Sequence, residues 1–298
     1  MAAFIPTGFA NVGSHKVSRH SSIFTFFQPA SQTEATYIVS AEYLRSLFGL
    51  DEQVAVVTGG TGTLGGALCR GLAKAGATVV VAGRGVDRGD ACVKEIIDAG
   101  GKATFLPVDV TSRASIESLL TATLDRFARV DMLINGAGVN AASSYFDVAD
   151  EDWQRVFDTN LRSVHLGCQV FGRHMATAGG GAIVNIASVT AHIPLSRVFA
   201  YSASKAAVVN LTQNVARELA PQNVRVNSLC PGFFPAEQNR AILDDQRKAS
   251  ILERTPAGRF GEPDELIGAT LLLLSHVAGS FITGTSLYVD GGFTAMRF

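Results

Sequence analysis

A serine, a tyrosine and a lysine stand close together in the stretch ASVTAHIPLSRVFAYSASKAA, residues 187–207. Tyr201 and Lys205 are four positions apart, so on a helix they would share one face, with the ammonium group beneath the phenol. A phenol with a pKa near 10 exchanges protons poorly at neutral pH, but a neighbouring cation favours its phenolate. We therefore expect Tyr201 to transfer a proton and Lys205 to lower the pKa of its phenol.

The pattern of apolar runs from Gln53 onward indicates the scaffold that positions these residues. Short runs rich in β-branched residues alternate with stretches of helical length, which is typical of a parallel sheet covered on both faces. The sequence therefore predicts an α/β, doubly wound Rossmann fold with a seven-stranded parallel sheet flanked by helices. Ser188 would follow the fifth strand, at the carboxyl edge where such sheets bind ligands. The predicted strands are 53–58, 78–82, 104–108, 131–135, 182–187, 224–229 and 286–290.

A glycine-rich segment, TGGTGTLGG, follows the first predicted strand. Gly60, Gly62 and Gly65 form G-x-G-x-x-G between a strand and a helix, where backbone amides can approach a pyrophosphate. The second strand leads into Gly83 and Arg84, at the place where an acidic residue would bind a free ribose 2′-hydroxyl. Arginine suits a 2′-phosphate instead, so the sequence predicts NADP. NAD is the alternative if Arg84 is only a solvated loop residue.

Further motifs occur in a specific order along the chain: VDV at 108–110, NGAG at 135–138, FDTNL around Asn160, RVNSLCPG up to Gly232 and VDGG at 289–292. With Ser188 thirteen residues before Tyr201, these motifs make the chain resemble the short-chain dehydrogenase/reductase family from about Leu50 to Gly292. The resemblance implies an NAD(P)-dependent oxidoreductase that interconverts a keto group and a secondary alcohol.

The resemblance also implies roles for individual residues. Tyr201 would be the general acid in carbonyl reduction, and Lys205 would lower its pKa and hold the nicotinamide ribose. Ser188 would polarise the carbonyl, Asn160 would support a water-linked proton path to Lys205, and Asp109 would contact adenine. The expected cofactor-binding residues are Gly59, Gly60, Gly62, Thr63, Leu64, Gly65, Arg84, Asp109, Val110, Asn135, Gly136, Ala137, Gly138, Tyr201, Lys205, Pro231, Gly232 and Phe234.

Two positions depart from the family pattern. Thr63 replaces the middle glycine of T-G-x-x-x-G-x-G, while Gly62 stands one place earlier, so we expect a cradle of different shape. Ala236 stands where a threonine near the nicotinamide carboxamide is common, which puts that contact in doubt.

The loops beyond the strand ends, 189–198 and 233–256, are expected to contact the substrate. Within the second loop, GFFPAEQNR resembles enzymes assigned as D-mannonate oxidoreductases, also called fructuronate reductases, which predicts a sugar-acid substrate. Gluconate 5-dehydrogenases and 3-oxoacyl carrier-protein reductases are the near alternatives, and a non-catalytic dinucleotide sensor is the alternative of another class. The expected substrate-binding residues are Asn140, Ser188, His192, Arg197, Glu237, Gln238, Asn239 and Arg240.

The first 44 residues differ in composition from the rest of the chain. Positions 1–33 contain no Asp or Glu and are rich in Ser, Thr and Phe, as organelle transit peptides are. We expect residues 1–44 to be an extension ahead of a single catalytic domain at 45–298. It could be a targeting segment, a tail that is disordered or packs on a partner subunit, or the product of a wrongly assigned start. The expected location is cytoplasmic, or an organelle if the extension is a transit peptide.

Charge and cysteine content exclude several classes of function. The chain has 25 basic and 26 acidic residues, so there is no electrostatic argument for nucleic acid or a membrane surface. Its four cysteines form no C-x-x-C pair, which is typical of a reduced intracellular protein. His165, Cys168 and His174 lack a further ligand at metal-binding spacing, so we expect no metal. The expected partners are a small keto or hydroxy acid and further copies of the chain, in a homotetramer or homodimer.

Overall fold

The computed structural model describes residues 32–234 and 244–295. The chain divides into two units after Ala41, and helix α1, Gln32–Phe48, runs across the expected boundary between 44 and 45. The start of the catalytic domain therefore stays a prediction, and residues 1–31 of the expected extension lie outside the described residues. In the described part of the chain, no helix has the length and apolar character that a membrane crossing requires.

Seven parallel strands form one sheet in the order β3-β2-β1-β4-β5-β6-β7, which confirms the predicted fold. Each observed strand agrees with a predicted one to within two residues at either end. The order reverses between β1 and β4, so the chain leaves these two neighbours in opposite directions and opens a crevice at their carboxyl ends. The strands are β1 Val54–Thr58, β2 Thr78–Gly83, β3 Lys102–Pro107, β4 Met132–Asn135, β5 Gly181–Ile186, β6 Val224–Pro231 and β7 Ser286–Val289.

Helices cover both faces of the sheet, because apolar side chains of the strands point to both faces. In β1, Val54 and Val56 pack into one core, whereas Ala55 and Val57 pack into the other. Residues of α4, α6 and α7 complete the core that contains Val54 and Val56. Residues of α2, α3 and α9 complete the core that contains Ala55 and Val57. The helices after α1 are α2 Thr63–Lys74, α3 Val86–Asp98, α4 Arg113–Phe127, α5 Asp150–Phe157, α6 Ser163–Thr177, α7 Phe199–Leu219, α8 Asp245–Glu253 and α9 Ile267–Leu274.

Helix α7 carries Tyr201 and Lys205, and it packs against β6. Small or β-branched residues recur every fourth position on its buried face, which lets the helix axis lie close to the sheet. The close packing places the first turns of α7 beside the carboxyl end of β5. The residues of this stripe are Ala200, Ser204, Val208, Thr212 and Ala216.

Candidate active site

The glycine-rich turn joins β1 to α2, as the sequence predicts. Gly59 has a φ of +73°, which favours glycine, and a Cβ on Gly65 would overlap the carbonyl oxygen of Gly59. Gly62 is the N-cap of α2, and its helix begins without a side-chain cap, so backbone N–H groups of the first turn face the crevice. Thr63 takes the first helical position, where a side chain is tolerated. Threonine in place of the family's glycine therefore keeps a turn whose backbone N–H groups could bind an anion.

Three arginines line the crevice beyond the end of β2. Arg84, which the sequence predicts, lies just before α3, and Arg88, which it missed, lies in the first turn of α3; both are exposed. Arg70 is paired with Glu95 at 3.1 Å. Gly83 has no room for a side chain, because a Cβ there would lie 2.8 Å from Oγ1 of Thr61. This end of the crevice therefore offers guanidinium groups, and no acidic side chain at Gly83, to the 2′ position of an adenosine ribose.

The segment after β4 is only partly as expected. Gly136, Ala137 and Gly138 line the crevice, but Asn135 does not. The side chain of Asn135 is 4% exposed, and its amide donates a hydrogen bond of 2.9 Å to Oδ1 of Asn185 inside the core. Its expected contact with the cofactor is therefore replaced by a role in a buried polar network.

Asp109 and Val110 follow β3 and line the crevice. The backbone N–H and the hydroxyl of Thr111 both donate to Oδ1 of Asp109, at 3.0 and 2.8 Å. These hydrogen bonds hold the pKa of the Asp109 carboxyl below its usual value. Asp109 is thus an ionised, oriented acceptor at the edge of the crevice, while its second oxygen remains available for a ligand.

Ser188, Tyr201 and Lys205 come together where β5 and α7 meet the crevice. Oγ of Ser188 accepts a hydrogen bond of 3.2 Å from the backbone N–H of Thr190. Nζ of Lys205 donates to the carbonyl oxygen of Ile186 at 2.6 Å and lies 5.7 Å from the centre of the Tyr201 ring. The predicted arrangement of a cation beneath a phenol is therefore present in the structure.

Burial has the largest effect on the pKa values of this group. Burial raises the pKa of Tyr201, and only a hydrogen bond with Ser188 opposes that shift. Burial also lowers the pKa of Lys205 to about 8, which the nearby Cys230 partly opposes. Lys205 lies over the ring face and donates to a backbone carbonyl, and burial is the main cause of the raised pKa of the phenol. In this site Tyr201 is therefore protonated and can donate a proton.

Asn160 lies at the centre of a π-helical turn, Asp158–Arg162, between α5 and α6. Its fully buried amide bonds to the backbone N–H and carbonyl oxygen of Val139 at 2.8 and 2.9 Å, and to Oγ of Ser204 at 3.2 Å. Ser204 in turn donates to the carbonyl oxygen of Tyr201. Single π-turns often occur at functional sites, and this one ties the loop after β4 to α7.

Buried charge on Lys205 leads to a stability prediction. A pKa that falls from 10.5 to about 8 on folding costs about 3 kcal/mol at pH 7, and this loss disappears as the pH rises above 10.5. Lys205→Met removes that penalty but loses the hydrogen bond to Ile186, worth about 1 kcal/mol. We expect the cofactor-free variant to be about 2 kcal/mol more stable than wild type at pH 7 in urea unfolding.

The sign of the pH effect gives the control. In wild type, the stability linked to Lys205 is complete above pH 10.5 and is lost as the pH falls through about 8. The advantage of Lys205→Met should therefore shrink between pH 8 and 10. A difference that is constant across this range would contradict the pKa assignment.

The crevice continues past Tyr201 as a cleft of about 620 Å³ in total, which is large enough for a dinucleotide and a small molecule. Its lining also includes Asn140, Leu195, Val198 and Phe233, together with Arg247 from α8. Of these, the sequence analysis proposed only Asn140 as a substrate ligand. Pro231, Gly232 and Phe234, at the end of β6, also line it as expected.

Other expected substrate residues are not in the cleft. His192 is exposed and packs edge-on against Tyr288, with ring centres 5.9 Å apart. Arg197 is exposed with a φ of +68°. Its backbone carbonyl oxygen accepts a hydrogen bond from the backbone N–H of Ser143. Neither residue lines the cleft, because the loop after β5 turns their side chains away. Glu237, Gln238, Asn239 and Arg240, and also Ala236, lie outside the described residues.

Comparison with known proteins decides the family. A family model described as Enoyl-(Acyl carrier protein) reductase matches residues 60–294, which include every residue of the cleft lining except Gly59. The chain belongs to the short-chain dehydrogenase/reductase family. This member is 39% identical over 264 residues to the uncharacterized oxidoreductase UxuB of Bacillus subtilis (strain 168), covering 82% of this chain and 95% of that protein.

Two further relatives of this short-chain dehydrogenase/reductase have named activities. The crystal structure of a gluconate 5-dehydrogenase from Burkholderia cenocepacia J2315, in complex with NADP and tartrate, is 34% identical, with a TM-score of 0.82. The alignment covers 85% of this chain and 100% of that one. A 3-oxoacyl-[acyl-carrier-protein] reductase of Chlamydia pneumoniae is 34% identical over 239 residues, which are 80% of this chain and 96% of that protein.

The residues of the crevice fit the nicotinamide dinucleotide that the family uses. The open helix N-terminus at Gly62 suits a pyrophosphate, the arginines after β2 suit a 2′-phosphate, and Tyr201 and Lys205 lie at the far end of the same crevice. The chain is an NAD(P)-dependent dehydrogenase/reductase.

Arg84 provides a test of cofactor preference. Arg84→Ala removes a charge-assisted contact to the 2′-phosphate, so we expect the Kd for NADPH to rise about 10- to 100-fold while that for NADH changes little. Fluorescence titration of both reduced cofactors measures the effect. Arg173→Ala, an exposed change on α6 outside the cleft lining, is the matched control. An equal rise in the Kd for NADPH and for NADH would show that Arg84 does not bind the 2′-phosphate.

Proposed function

We propose that this enzyme reversibly reduces a keto group on a six-carbon sugar acid to a secondary alcohol, with NADPH as the preferred donor. The similarity to a gluconate 5-dehydrogenase whose structure contains NADP and tartrate carries this proposal, since it extends over 85% of the chain. The cleft supports it with polar side chains in its lining, among them Asn140 and Ser188.

In the proposed chemistry, each residue around the substrate carbonyl has its own role. The bound cofactor supplies the hydride. The hydroxyl of Ser188 donates a hydrogen bond to the carbonyl oxygen, and the phenol of Tyr201 gives that oxygen its proton. Lys205 orients the ribose and the phenol, and Asn160 fixes the loop after β4 against α7. Alcohol oxidation reverses these steps, with the Tyr201 phenolate as the base.

Reduction and oxidation need different protonation states of Tyr201. The protonated phenol is the form that reduces a ketone, and burial raises its pKa further above neutral pH. Oxidation of the alcohol needs the phenolate, so its rate should require a higher pH than reduction.

Two pairs of sugar acids are candidates for the substrate. The motif GFFPAEQNR suggested D-fructuronate and D-mannonate, but the comparisons support relatives of the gluconate 5-dehydrogenase type and not of the mannonate oxidoreductase type. The pair 5-ketogluconate and gluconate therefore comes first, and fructuronate and mannonate come second. Both pairs place a carboxylate and several hydroxyls on an unbranched six-carbon chain. The proposal commits to that class of molecule, and the kinetic comparison chooses between the pairs.

A 3-oxoacyl thioester is the second candidate, because one relative is a 3-oxoacyl-[acyl-carrier-protein] reductase. Such a substrate needs an apolar groove for its acyl chain and a basic surface for its acidic carrier. The described part of α8 instead mixes charges, with Asp245 paired to Lys248 at 2.9 Å. This mixed surface favours the sugar acid.

The test is a panel of ketones with NADPH and NADH, followed by absorbance at 340 nm. Fructuronate, 5-ketogluconate and a 3-oxoacyl thioester are the three arms. Turnover of either sugar acid with a kcat/KM above that of the thioester supports the proposal, whereas turnover confined to the thioester rejects it. Cofactor binding without turnover of any ketone would favour the sensor, which the joined Ser188, Tyr201 and Lys205 disfavour.

We also propose a homotetramer or homodimer, in line with the family. Phe146 and Phe281 are 96% and 102% exposed, and large aromatic side chains in water are typical of surfaces that a second subunit covers. Light scattering of the purified chain should give a mass of two or four subunits. A monomeric mass at micromolar concentration would contradict this prediction.

A further inference from the structure

Arg247 is a cation at the substrate end of the cleft that the roles above leave unused. It lies in the first turn of α8, where Oδ1 of Asp244 caps its backbone N–H at 2.7 Å. Its guanidinium donates one hydrogen bond, from Nη2 to the carbonyl oxygen of Ser196 at 2.7 Å. Ser196 stands between Leu195 and Val198, two residues of the cleft lining. The contact therefore fixes Arg247 beside the loop that leads to Tyr201.

The charge of Arg247 has no partner in the described part of the molecule. Within residues 32–234 and 244–295, no carboxylate lies within 4.0 Å of its guanidinium, whereas its neighbour Lys248 pairs with Asp245. A guanidinium has five N–H donors, and the carbonyl oxygen of Ser196 uses one. Arg247 is also half-buried, so its position is more fixed than that of an exposed surface arginine.

The other cations of the described cleft lining have different surroundings. Arg70, Arg84 and Arg88 lie at the adenosine end, and Lys205 bonds to Ile186 beneath the phenol. Arg247 is therefore the cation placed to meet a negative charge on the substrate. An arginine is suited to that task because its planar fork matches the two oxygens of a carboxylate.

We propose that Arg247 binds the carboxylate of the substrate and so selects keto acids over neutral ketones. This inference rests on the proposed sugar-acid function, and it replaces Arg197, which faces away from the cleft, as the described carboxylate ligand. The carboxylate would hold one end of the molecule while Ser188 and Tyr201 meet its carbonyl. Arg247 is thus a specificity residue that does not take part in proton transfer.

Arg247→Gln is the informative variant, because glutamine keeps a donor for the carbonyl oxygen of Ser196 but removes the charge. With the keto acid, we expect kcat/KM to fall about 10- to 100-fold, mainly through KM, since the contact exists in both ground and transition states. With the primary amide of the same keto acid, which is neutral, the variant should match wild type. Arg247→Lys should recover part of the loss.

Lys248→Gln is the matched control, since it removes an equal charge one residue further along α8, outside the cleft lining. It should leave the kinetics with both ketones unchanged. Equal losses for acid and amide in Arg247→Gln would show that the residue only supports the loop. Unchanged kinetics with the acid would likewise overturn the proposal.

A binding measurement separates this inference from the proposed function. Tartrate, a dicarboxylate with hydroxyl groups, can be titrated into the enzyme saturated with NADP. If wild type reduces no sugar acid, the proposed function fails, but binding of tartrate that is lost in Arg247→Gln would still support an anion site there. Tartrate binding of equal strength in the two proteins would reject the carboxylate site, whatever the substrate.

Discussion

Tyr201→Phe is expected to lower kcat about 10³-fold while the Kd for NADPH stays within about twofold of wild type. The variant loses only the phenolic hydroxyl, which burial keeps protonated and which bonds to Ser188 in the cleft. The aromatic ring and its contact with Lys205 are retained, so the surface that binds the cofactor is nearly unchanged. Stopped-flow or steady-state reduction of the best ketone measures the loss, and fluorescence titration measures the affinity.

Tyr288→Phe is the matched control for this change. Tyr288 also has a raised pKa and lies near Cys230, but it does not line the cleft. Loss of its hydroxyl should leave kcat within a few-fold of wild type. If Tyr201→Phe retains wild-type turnover, or if both variants lose it equally, Tyr201 is not the proton donor.

The second large effect is expected at the glycine-rich turn. Gly65→Ala places a methyl group on the carbonyl oxygen of Gly59, and the backbone has to move to accommodate it. Overpacking of this kind costs about 1–3 kcal/mol, and here it displaces the amides that face the pyrophosphate. We expect the Kd for NADPH to rise about 10- to 100-fold or more, with a parallel loss in kcat/KM, in the same titration.

Gly62→Ala is a control at the same turn. A Cβ on Gly62 would lie 3.4 Å from the carbonyl oxygen of Gly59, an ordinary contact, and the φ of Gly62 is −93°. The structure therefore tolerates a methyl group here much better than at Gly65. Similar affinities for the two variants would mean that close packing of the turn does not determine cofactor binding.

The features that follow from local sequence could be predicted. Near-continuous apolar runs give the strands, since residues such as Val54 to Val57 are buried on alternating faces. The glycine turn and the spacing of Tyr201 and Lys205 depend on a few neighbouring residues, so their geometry follows once a helix forms. These local rules fixed the fold and one end of the cleft.

Features that depend on distant packing could not be predicted. Asn135 bonds to Asn185 inside the core, and Gly167 of α6 packs so closely on it that a Cβ there would overlap the Asn135 amide. The raised pKa of Tyr201 is an effect of burial, which no spacing reveals. Arg88 could have been found from its position shortly after Arg84. Arg247 had no such signal, because only the folded chain brings α8 to Ser196.

The close contact between Gly83 and Thr61 determines which routes could change the cofactor preference of this enzyme. An acidic residue at Gly83 is the simplest way to recognise NADH, but its Cβ would meet Oγ1 and Cγ2 of Thr61 at 2.8 and 3.0 Å. Rotation of Thr61 offers little relief, because its branched side chain keeps one of two heavy atoms near that position. Thr61 must therefore become smaller before Gly83 can become acidic. A change from NADPH to NADH, in evolution or in the laboratory, therefore needs the substitution at Thr61 before the one at Gly83.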